Sequence, residues 1–390
     1  MPLDFAKNFR YIDVTDNVIG NIHWSKVHNE MSRRSDNQVT IRQVAKEAGV
    51  STQTVSRVMN NIPEVLPETR QHVLDVVNRL GYRPNVFARG LKQNRSYTLG
   101  VVTSGIEYYG PSRTLVGVEQ KSNELGYSLS LSLLHQPEPE NIQRVLGSLI
   151  SRQVDGILWT TQEIGANLSW LNGEKLSIPV VFLEASPRPG VASVNIDSRM
   201  GVRQAMQHLL ENGYRRIGIV TGPLSWWAAR ERLQGWRETL ADADLVVEER
   251  QIVEGDWSTG SGARGLKQLL EMYPEMEAVF VSNDQMALGV LQTCRQLGRQ
   301  VPEDLAIVGY DDIPEAEYFW PPLTTVRQNL TELGGTAVEM LTKMISARWQ
   351  IDATYSPGCV WLEPELIIRS SSVRSSATSN SRGGEPTQNP

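Results

Sequence analysis

Short apolar runs alternate with amphipathic stretches through most of the chain, from about residue 97 to residue 369. Strands that alternate with helices usually pair in parallel, and helices cover both faces of the resulting sheets. The strand candidates are Thr98–Ser104, Ser128–Leu134, Asp155–Thr160, Ile178–Glu184, Arg216–Thr221, Ala278–Ser282 and Leu305–Tyr310. The helical patterns between them include Ser112–Gly126, Asn141–Gln153, Arg199–Gly213, Ala229–Ala241, Ser258–Met272 and Gln285–Gly298. So many strands over this length predict an α/β fold with two sheets in two lobes.

Composition excludes several classes of protein. The chain has 390 residues, 40% of them hydrophobic, which is enough to bury the cores of two to three domains. It contains no run of about 18 apolar residues, the length that a membrane helix requires. Charged residues such as Asp4, Lys7 and Arg10 occupy the N-terminus, where an export signal needs an apolar stretch. The two cysteines, Cys294 and Cys359, exclude a disulfide scaffold and a cysteine-rich zinc site, and they fit a reducing cytoplasm.

Charge is unevenly distributed along the chain. Residues 32–95 contain 11 basic and 5 acidic side chains, whereas the whole chain has a net charge of −6. We call residues 32–95 the head and the rest of the chain after them the body. A basic head followed by an acidic body indicates that the head binds a polyanion. Chance fluctuation is the alternative explanation of the charge alone, so the motifs within the head must decide.

The head contains the spacing of a helix-turn-helix. Small apolar residues recur on one face of a first helix: Ile41, Val44, Ala45 and Ala48. Gly49 supplies the positive φ that ends this helix, and Ser51 can cap the next one. The second helix turns a polar face outward: Thr52, Gln53, Ser56 and Arg57. Gln and Arg match adenine and guanine edges in the major groove, although an ordinary αα-hairpin with a solvated face has the same local pattern.

A third helix and a short basic segment follow. Pro67 begins the third helix and Gly81 ends it. Asn85 can then cap a fourth helix that runs to Lys92, too short to be stable alone. Leu91 is an exposed leucine among basic residues, which fits a helix that a partner orders.

These segments resemble the lactose-repressor family of bacterial transcription regulators, over about residues 39–369. The head carries two signature stretches, Val50–Asn60 and Tyr82–Leu91. Matching segments in the body are Thr221–Ser225, Glu254–Ser258, Asn283–Gly289, Val308–Asp312 and Pro321–Thr325. The resemblance implies a small all-α DNA-binding domain and a hinge helix, followed by a core of doubly wound parallel sheets shaped like a periplasmic sugar-binding protein. Its chain is expected to cross between the lobes near Asp197, Gln328 and Arg348.

The resulting domain organisation has five parts. We expect a poorly ordered extension at 1–38, a helix-turn-helix domain at 39–84 and a hinge with linker at 85–96. The effector-binding and dimerisation core then spans 97–369, and a disordered tail spans 370–390.

The resemblance also implies how the head meets operator DNA. In the family, the hinge helices of two subunits fold together on the duplex, and the leucine that matches Leu91 wedges into the minor groove. Base reading is implied for the positions of Thr52, Gln53 and Arg57. The whole set expected at DNA is Thr40, Ser51, Thr52, Gln53, Thr54, Ser56, Arg57, Asn60, Asn85, Ala88 and Leu91.

Ligands of such cores bind between the lobes, at the carboxyl ends of the strands. The residues expected there are Ser104, Tyr108, Glu184, Arg232, Trp257, Asn283, Asp311 and Gln328. Planar paired groups such as Arg232 can hold two sugar hydroxyls at once, and an aromatic face can cover the C–H side of a pyranose. The chain departs from the family pattern where serines are replaced by Trp226 and Ala228, and where an arginine is replaced by Gln136.

The sequence therefore predicts a cytoplasmic, nucleoid-associated repressor of a sugar-utilisation operon, with lactose or another galactoside as inducer. A family member that responds to a different sugar and a sugar-binding protein without regulation are the alternatives. Enzymatic activity has no supporting motif, and neither a cofactor nor a metal is expected. Gly260–Gly265 matches G-x-G-x-x-G but lies deep in the second lobe, away from any dinucleotide fingerprint. Residues 370–390 contain no leucine, so they cannot form the leucine-heptad helix that would join two dimers into a tetramer. We therefore expect a homodimer.

Overall fold

The computed structural model describes residues 39–59, 63–82, 95–136, 138–163, 177–350 and 358–374. The chain divides into two compact units, Met1–Arg89 and Gly90–Pro390. Among the described residues, no helix is both long enough and apolar enough to cross a membrane.

The first unit is a cluster of three helices, α1 (Ile41–Glu47), α2 (Thr52–Met59) and α3 (Pro67–Leu80). Helix α1 begins at a capping box in which Thr40 and Gln43 pair reciprocally. Gly49, with φ of 60°, turns the chain into α2, and the left-handed Gly81 ends α3. Valines from all three helices form the buried core. The three helices confirm the prediction for this part of the head, whereas the expected fourth helix lies outside the described residues.

The second unit contains two lobes, each built on a six-stranded sheet. Lobe 1 has the strand order β11-β5-β4-β3-β1-β2, and all of its strands are parallel. Its strands are β1 (Thr98–Thr103), β2 (Ser128–Leu133), β3 (Gly156–Trp159), β4 (Val180–Leu183), β5 (Ala192–Ile196) and β11 (Cys359–Leu362). Its helices are α4 (Tyr109–Glu124), α5 (Pro139–Ser151) and α10 (Leu330–Gln350). Helices α4 and α10 pack against each other, and α10 covers one face of the sheet while α5 covers the other.

Lobe 2 repeats this plan with the order β12-β10-β9-β8-β6-β7. Its strands are β6 (Ile217–Thr221), β7 (Ile252–Glu254), β8 (Ala278–Val281), β9 (Ala306–Asp311), β10 (Thr324–Arg327) and β12 (Glu365–Ile367). Strand β12 is antiparallel to β10, and the other pairs are parallel. Its helices are α6 (Ser198–Glu211), α7 (Trp227–Asp242), α8 (Thr259–Met272) and α9 (Asp284–Gln296). Helices α6 and α7 cover one face and α8 and α9 the other, so the predicted α/β architecture is confirmed.

The chain crosses between the lobes three times, but one crossing differs from the prediction. Two crossings occur where expected, at Asp197 between β5 and α6 and at Gln328 between β10 and α10. The third joins β11 to β12 through Glu363 and Pro364, so the expectation of a crossing near Arg348 is wrong. Arg348 instead lies in the last turn of α10, which continues along lobe 1 to Gln350.

The predicted end of the core at residue 369 is also wrong. Ser371 and Ser372 are fully buried in lobe 2. The Ser371 hydroxyl donates to the carbonyl of Ile307 at 2.6 Å and accepts from the N–H of Thr324 at 2.8 Å. Because hydrogen bonds satisfy both buried hydroxyls, these two polar residues belong to the folded core and not to a disordered tail.

Candidate functional site

The outward face of α2 presents the polar residues expected to read DNA. Thr52, Gln53 and Arg57 are exposed, while Val55 and Val58 on the opposite face are buried in the helix cluster. This division follows from the 3.6-residue period, which places polar and apolar side chains on opposite sides. An exposed face that carries Gln and Arg side by side can enter a major groove and form paired hydrogen bonds with base edges.

Hydroxyl residues at the helix starts already have structural roles. Ser51 accepts the N–H of Thr54 at 3.0 Å, and the two hydroxyls lie 2.9 Å apart, so Ser51 caps α2 as predicted. Thr40 caps α1 in the same way. Both residues are exposed, so their hydroxyls are also accessible to a phosphate. Four further residues expected at DNA lie outside the described residues: Asn60, Asn85, Ala88 and Leu91.

A cavity of about 80 Å³ lies between the two lobes, at the place where ligands of such folds bind. Lobe 2 and the crossing at Gln328 contribute a polar cluster that we call the polar side: Arg232, Asn283, Gln285, Asp311 and Gln328. Lobe 1 contributes the apolar residues Pro111, Leu183, Leu330 and Leu333, together with polar groups that include Gln162 and Glu184. The cavity therefore offers both polar groups and apolar surface, as an amphipathic ring requires.

Arg232 lies at the centre of the polar side. The residue is 6% exposed, and its Nη1 donates to the carbonyl of Ser282. Its Nη2 lies 3.9 Å from Asp311 Oδ1, and the guanidinium stacks 3.8 Å from the centroid of the Tyr310 ring. Its Nε has no hydrogen-bond partner among the described residues. A buried donor of this kind favours a ligand that brings an acceptor.

Asp311 is the last residue of β9, at the carboxyl end of the strand as the sheet rule predicts, and its carboxyl faces both Arg232 and Gln328. Gln328 Nε2 donates to Asp311 Oδ1 at 2.6 Å. Burial raises the pKa of Asp311 to about 6, against the opposing effects of Arg232 and the Gln328 hydrogen bond. Near neutral pH the carboxyl is therefore mostly ionised and accepts from a ligand hydroxyl, and it is neutralised at a higher pH than an exposed aspartate would be.

Glu184 supplies a second carboxyl from lobe 1, directly after β4. Its backbone is left-handed with φ of 53°, and its Oε1 accepts the N–H of Ile196 at 2.7 Å. Burial raises the pKa of Glu184 to about 7, although the Ile196 hydrogen bond and the charge of Arg232 lower it. The cavity therefore holds two carboxyls that approach one arginine from opposite lobes.

Asn283 caps the N-terminus of α9, and its side chain forms hydrogen bonds with neighbouring residues of the cavity. Its Oδ1 accepts the N–H of Met286 at 2.9 Å, and its Nδ2 donates to the carbonyl of Trp257 at 3.1 Å and to Gln285 Oε1 at 3.0 Å. Gln285 was not among the predicted residues. Its position two residues into a helix that starts at the sheet edge is the signal that identifies it.

Three aromatic side chains form a wall that we call the aromatic wall: Tyr108, Trp226 and Trp257. Tyr108 of lobe 1 meets Trp226 of lobe 2 edge to face at 5.9 Å, and Trp226 lies 5.6 Å from Trp257. Gly222 makes room for this wall, because a Cβ there would lie 2.0 Å from the Trp257 ring. Replacement of the family's serine by Trp226 therefore creates a contact between the lobes.

Most of the predicted ligand residues meet in this one cavity. Those that line it are Tyr108, Glu184, Arg232, Trp257, Asn283, Asp311 and Gln328. Ser104 does not line the cavity, because β1 ends at Thr103 and the chain turns away at Gly105, whose φ is 64°. Gln136 is exposed and also lies outside the lining. Lining residues that sequence reasoning did not propose include Tyr109, Pro111, Thr114, Thr160, Gln162, Leu330 and Leu333.

Two family models match the chain. Residues 40–85 match bacterial regulatory proteins of the lacI family, and residues 206–372 match a periplasmic binding protein-like domain. The repressor named PurR of Actinobacillus pleuropneumoniae serotype 3 is 36% identical over 337 residues, which cover 85% of this chain and 98% of that protein. PurR of Haemophilus influenzae is 34% identical over 332 residues, with the same coverage.

Solved structures match over the same range. The lac repressor dimer bound to operator and the anti-inducer ONPF has a TM-score of 0.75 at 31% identity, covering 86% of this chain and all of that one. The regulator CelR in complex with cellobiose has a TM-score of 0.64 at 34% identity, again covering 86% of this chain and all of that one. Proteins of one architecture thus carry different regulator names, and similarity to the lactose repressor is one match among several.

Proposed function

Because the chain belongs to the LacI family of DNA-binding transcriptional repressors, we propose that it represses a sugar-utilisation operon and that a sugar bound between its lobes releases it from the operator. The observation that carries this proposal is the cluster of Arg232, Asp311 and Gln328 on the polar side of the cavity. Each of these groups is planar and offers two donors or acceptors, which matches neighbouring hydroxyls on a pyranose. The apolar residues of lobe 1 face it and fit the C–H surface of the same ring.

We propose a galactoside, or a closely related β-linked disaccharide, as the inducer. The CelR relative binds cellobiose, a β-linked disaccharide, and the polar and aromatic residues that line the cavity of this chain suit the same class of ligand. Trp226 and Tyr108 narrow the cavity at the aromatic wall, so the second ring or aglycone must be flat enough to lie against them. This favours natural disaccharides over bulky synthetic galactosides.

Release follows from a difference in ligand affinity between two lobe arrangements. Glu184 belongs to lobe 1 and Arg232 to lobe 2, so a ligand that contacts both favours one relative position of the lobes. Allosteric coupling of this kind is typically about 1–3 kcal/mol per site. In a dimer, a change in lobe position separates the two DNA-binding units and weakens their simultaneous binding to a near-palindromic operator.

We also propose that the core forms the homodimer. Large apolar side chains are exposed on lobe 2: Leu288, Tyr318 and Trp320, the last of them 89% exposed. Monomeric proteins rarely leave aromatic side chains so exposed close together, and a symmetric partner would cover them. The unit that acts on double-stranded operator DNA in the cytoplasm is then a dimer.

Fluorescence anisotropy with a duplex selected from a random pool by the purified protein tests this function. Lactose or cellobiose is expected to raise the operator Kd, and chromatography should recover the sugar unchanged, because no enzymatic step is proposed. A sugar that tightens operator binding, or the failure of every galactoside and β-glucoside to change it, would contradict the inducer assignment.

Two variants distinguish operator binding from the response to sugar. Arg232→Met should leave the operator Kd within about twofold, since Arg232 belongs to the core, while removing the response to sugar. Arg237→Met is the matched control, because Arg237 lies on the same helix α7 but pairs with Glu249 at the surface, 3.1 Å away. If both variants lose the response, the effect lies in α7 rather than in sugar contacts.

A purine base is the second candidate ligand. The aromatic wall offers faces on which a flat base can stack, and the relatives named PurR cover almost the same range of the chain. Adenine and guanine therefore form the second arm of the anisotropy titration. A response to a base with none to sugars would favour this candidate.

A further inference from the structure

The point at which the chain enters lobe 1 is fixed by one buried carboxylate. Asp155, which immediately precedes β3, has a side chain only 5% exposed. Its Oδ1 accepts the N–H of Ser96 at 2.8 Å and the Ser96 hydroxyl at 3.1 Å, while its Oδ2 accepts the N–H of Tyr97 at 3.0 Å. Three hydrogen bonds therefore join Ser96 and Tyr97, which directly precede β1, to the residue that directly precedes β3.

Arg95 adds a second set of contacts at the same place. Its guanidinium lies over the rings of Tyr97 and Tyr127, at 5.0 and 6.0 Å from their centroids, and donates to the Tyr127 hydroxyl. Its Nε lies 3.8 Å from Asp155 Oδ2. Tyr97 holds a left-handed backbone with φ of 51°, which a non-glycine residue keeps only where its surroundings determine it. We call this set, Arg95, Ser96, Tyr97, Tyr127 and Asp155, the entry clamp.

The entry clamp lies between the two functional regions in the order of the chain. On its N-terminal side, the chain leads to the DNA-binding unit, which ends at Arg89. On its C-terminal side, β1 starts at Thr98 and lies between β3 and β2 in the lobe 1 sheet, and Tyr108 of the aromatic wall follows a few residues after its end. One strand therefore connects the clamp to the cavity, and a packed strand transmits displacement as a rigid element.

We propose that Asp155 and Arg95 are positioning residues for operator release: they make the chain that enters lobe 1 move with the lobe, so that a change at the cavity reaches the DNA-binding unit. Without the clamp, residues 95–97 can shift on the lobe, and lobe movement is lost before it reaches the DNA-binding unit. The inference rests on the proposed function in one respect, that the cavity and the DNA-binding unit are coupled.

Hydrogen exchange with operator DNA tests the clamp without any knowledge of the inducer. Coupling is reciprocal, so operator binding must alter the cavity if the cavity controls operator binding. In the full-length protein, we expect the selected duplex to change amide exchange at 109–114, the start of α4 in the cavity wall. Asp155→Asn and Arg95→Ala should reduce that change at least fivefold while the operator Kd rises by no more than about threefold. Arg95→Lys, which retains the cation, should restore part of it.

Arg144→Ala is the matched control, since Arg144 is an exposed arginine of the same lobe that bonds to Asn141 at 3.0 Å. It should behave as the unaltered chain does. If the clamp variants lower the urea midpoint but keep the full operator-dependent exchange at 109–114, the clamp only stabilises lobe 1 and the proposal is wrong.

Lactose then supplies a second arm with a separate outcome. Clamp variants should bind lactose within about twofold of the unaltered Kd by calorimetry, yet the ratio of operator Kd values with and without lactose should fall at least fivefold. Absence of any lactose effect on the unaltered chain would contradict the sugar assignment. The exchange experiment would still decide the role of Asp155 and Arg95.

Discussion

Glu184→Gln should make the core less sensitive to pH between 6 and 8. Glu184 is a half-buried carboxyl on the lobe 1 side of the cavity, and burial raises its pKa to about 7 from an ordinary value of 4.5. Glutamine has nearly the same shape, and its amide oxygen can still accept the N–H of Ile196 that Glu184 Oε1 accepts at 2.7 Å. The substitution therefore removes the ionisation while keeping the local structure.

Proton binding determines whether the free energy of unfolding rises or falls with pH. Between pH 4.5 and about 7, the folded chain holds the Glu184 proton and the unfolded chain has lost it, so the free energy of unfolding falls as pH rises through this window. Each tenfold change in proton affinity corresponds to about 1.4 kcal/mol, which gives a loss of about 1 kcal/mol from pH 6 to pH 8 once partial screening by water is allowed for. Asp311, whose pKa is about 6, adds less than half as much in the same direction.

Urea unfolding followed by tryptophan fluorescence at pH 6, 7 and 8 measures this difference. The unaltered core should lose about 1 kcal/mol more than the Glu184→Gln variant over the range. Glu107→Gln is the control, because Glu107 is an exposed carboxyl close to the cavity in sequence. Equal pH slopes for Glu184→Gln and the unaltered chain would refute the claim that this carboxyl is held partly neutral.

Other perturbations address the two interfaces. Arg57→Ala and Gln53→Ala should each cost about 1–3 kcal/mol for the preferred base and relax sequence preference, measured by competition with mutated duplexes. Operator affinity should fall steeply with salt, because the basic side chains of the head displace counterions; a flat salt titration would contradict this. Trp226→Ser should enlarge the cavity and let a bulky thiogalactoside induce, as operator release would report, and unchanged selectivity would show that the aromatic wall is not the restriction. Light scattering should give the mass of two chains, and a four-chain mass would disprove the dimer.

The head could be predicted well because its signals are local. Gly49 must hold a positive φ and Ser51 must cap α2, and both requirements are set by residues within one helical turn. The apolar period then fixes which face is buried.

The polar side of the cavity was also predictable, since the carboxyl ends of parallel strands meet at one edge. Glu184 and Asn283 follow strands and Asp311 ends one, and the structure brings all three into one cavity. The apolar side was not predictable, because Leu330 and Leu333 come from the start of α10. They reach the cavity only because α10 packs closely on α4, where Gly117 lets the backbone of Thr331 approach. That approach depends on tertiary packing, which a linear pattern does not record.

Strand β5 shows why buried polar residues mislead sequence reasoning. Asn195 lies in a fully buried strand, although asparagine is rare in strands and lowers the apolar signal. Its side chain accepts the N–H of Ala185 at 3.0 Å and donates to the carbonyl of the same residue at 2.9 Å. These two hydrogen bonds to the backbone of Ala185 thus compensate for the low strand propensity of asparagine.

The cavity departs from the rules that the rest of the core obeys, and the departures lie together. Glu184, Trp257 and Asp311 all have left-handed backbones without being glycine, at φ of 53°, 70° and 116°. Two of them are carboxyls that burial makes costly to ionise, and the Nε1 of Trp257 has no hydrogen-bond partner among the described residues. Such features persist only where the surrounding structure enforces them, and strained or unpartnered groups concentrate at functional sites. Their position together in one cavity, including a buried N–H of Trp257 that a ligand oxygen can accept, supports the proposal that a ligand bound between the lobes favours one lobe arrangement over another.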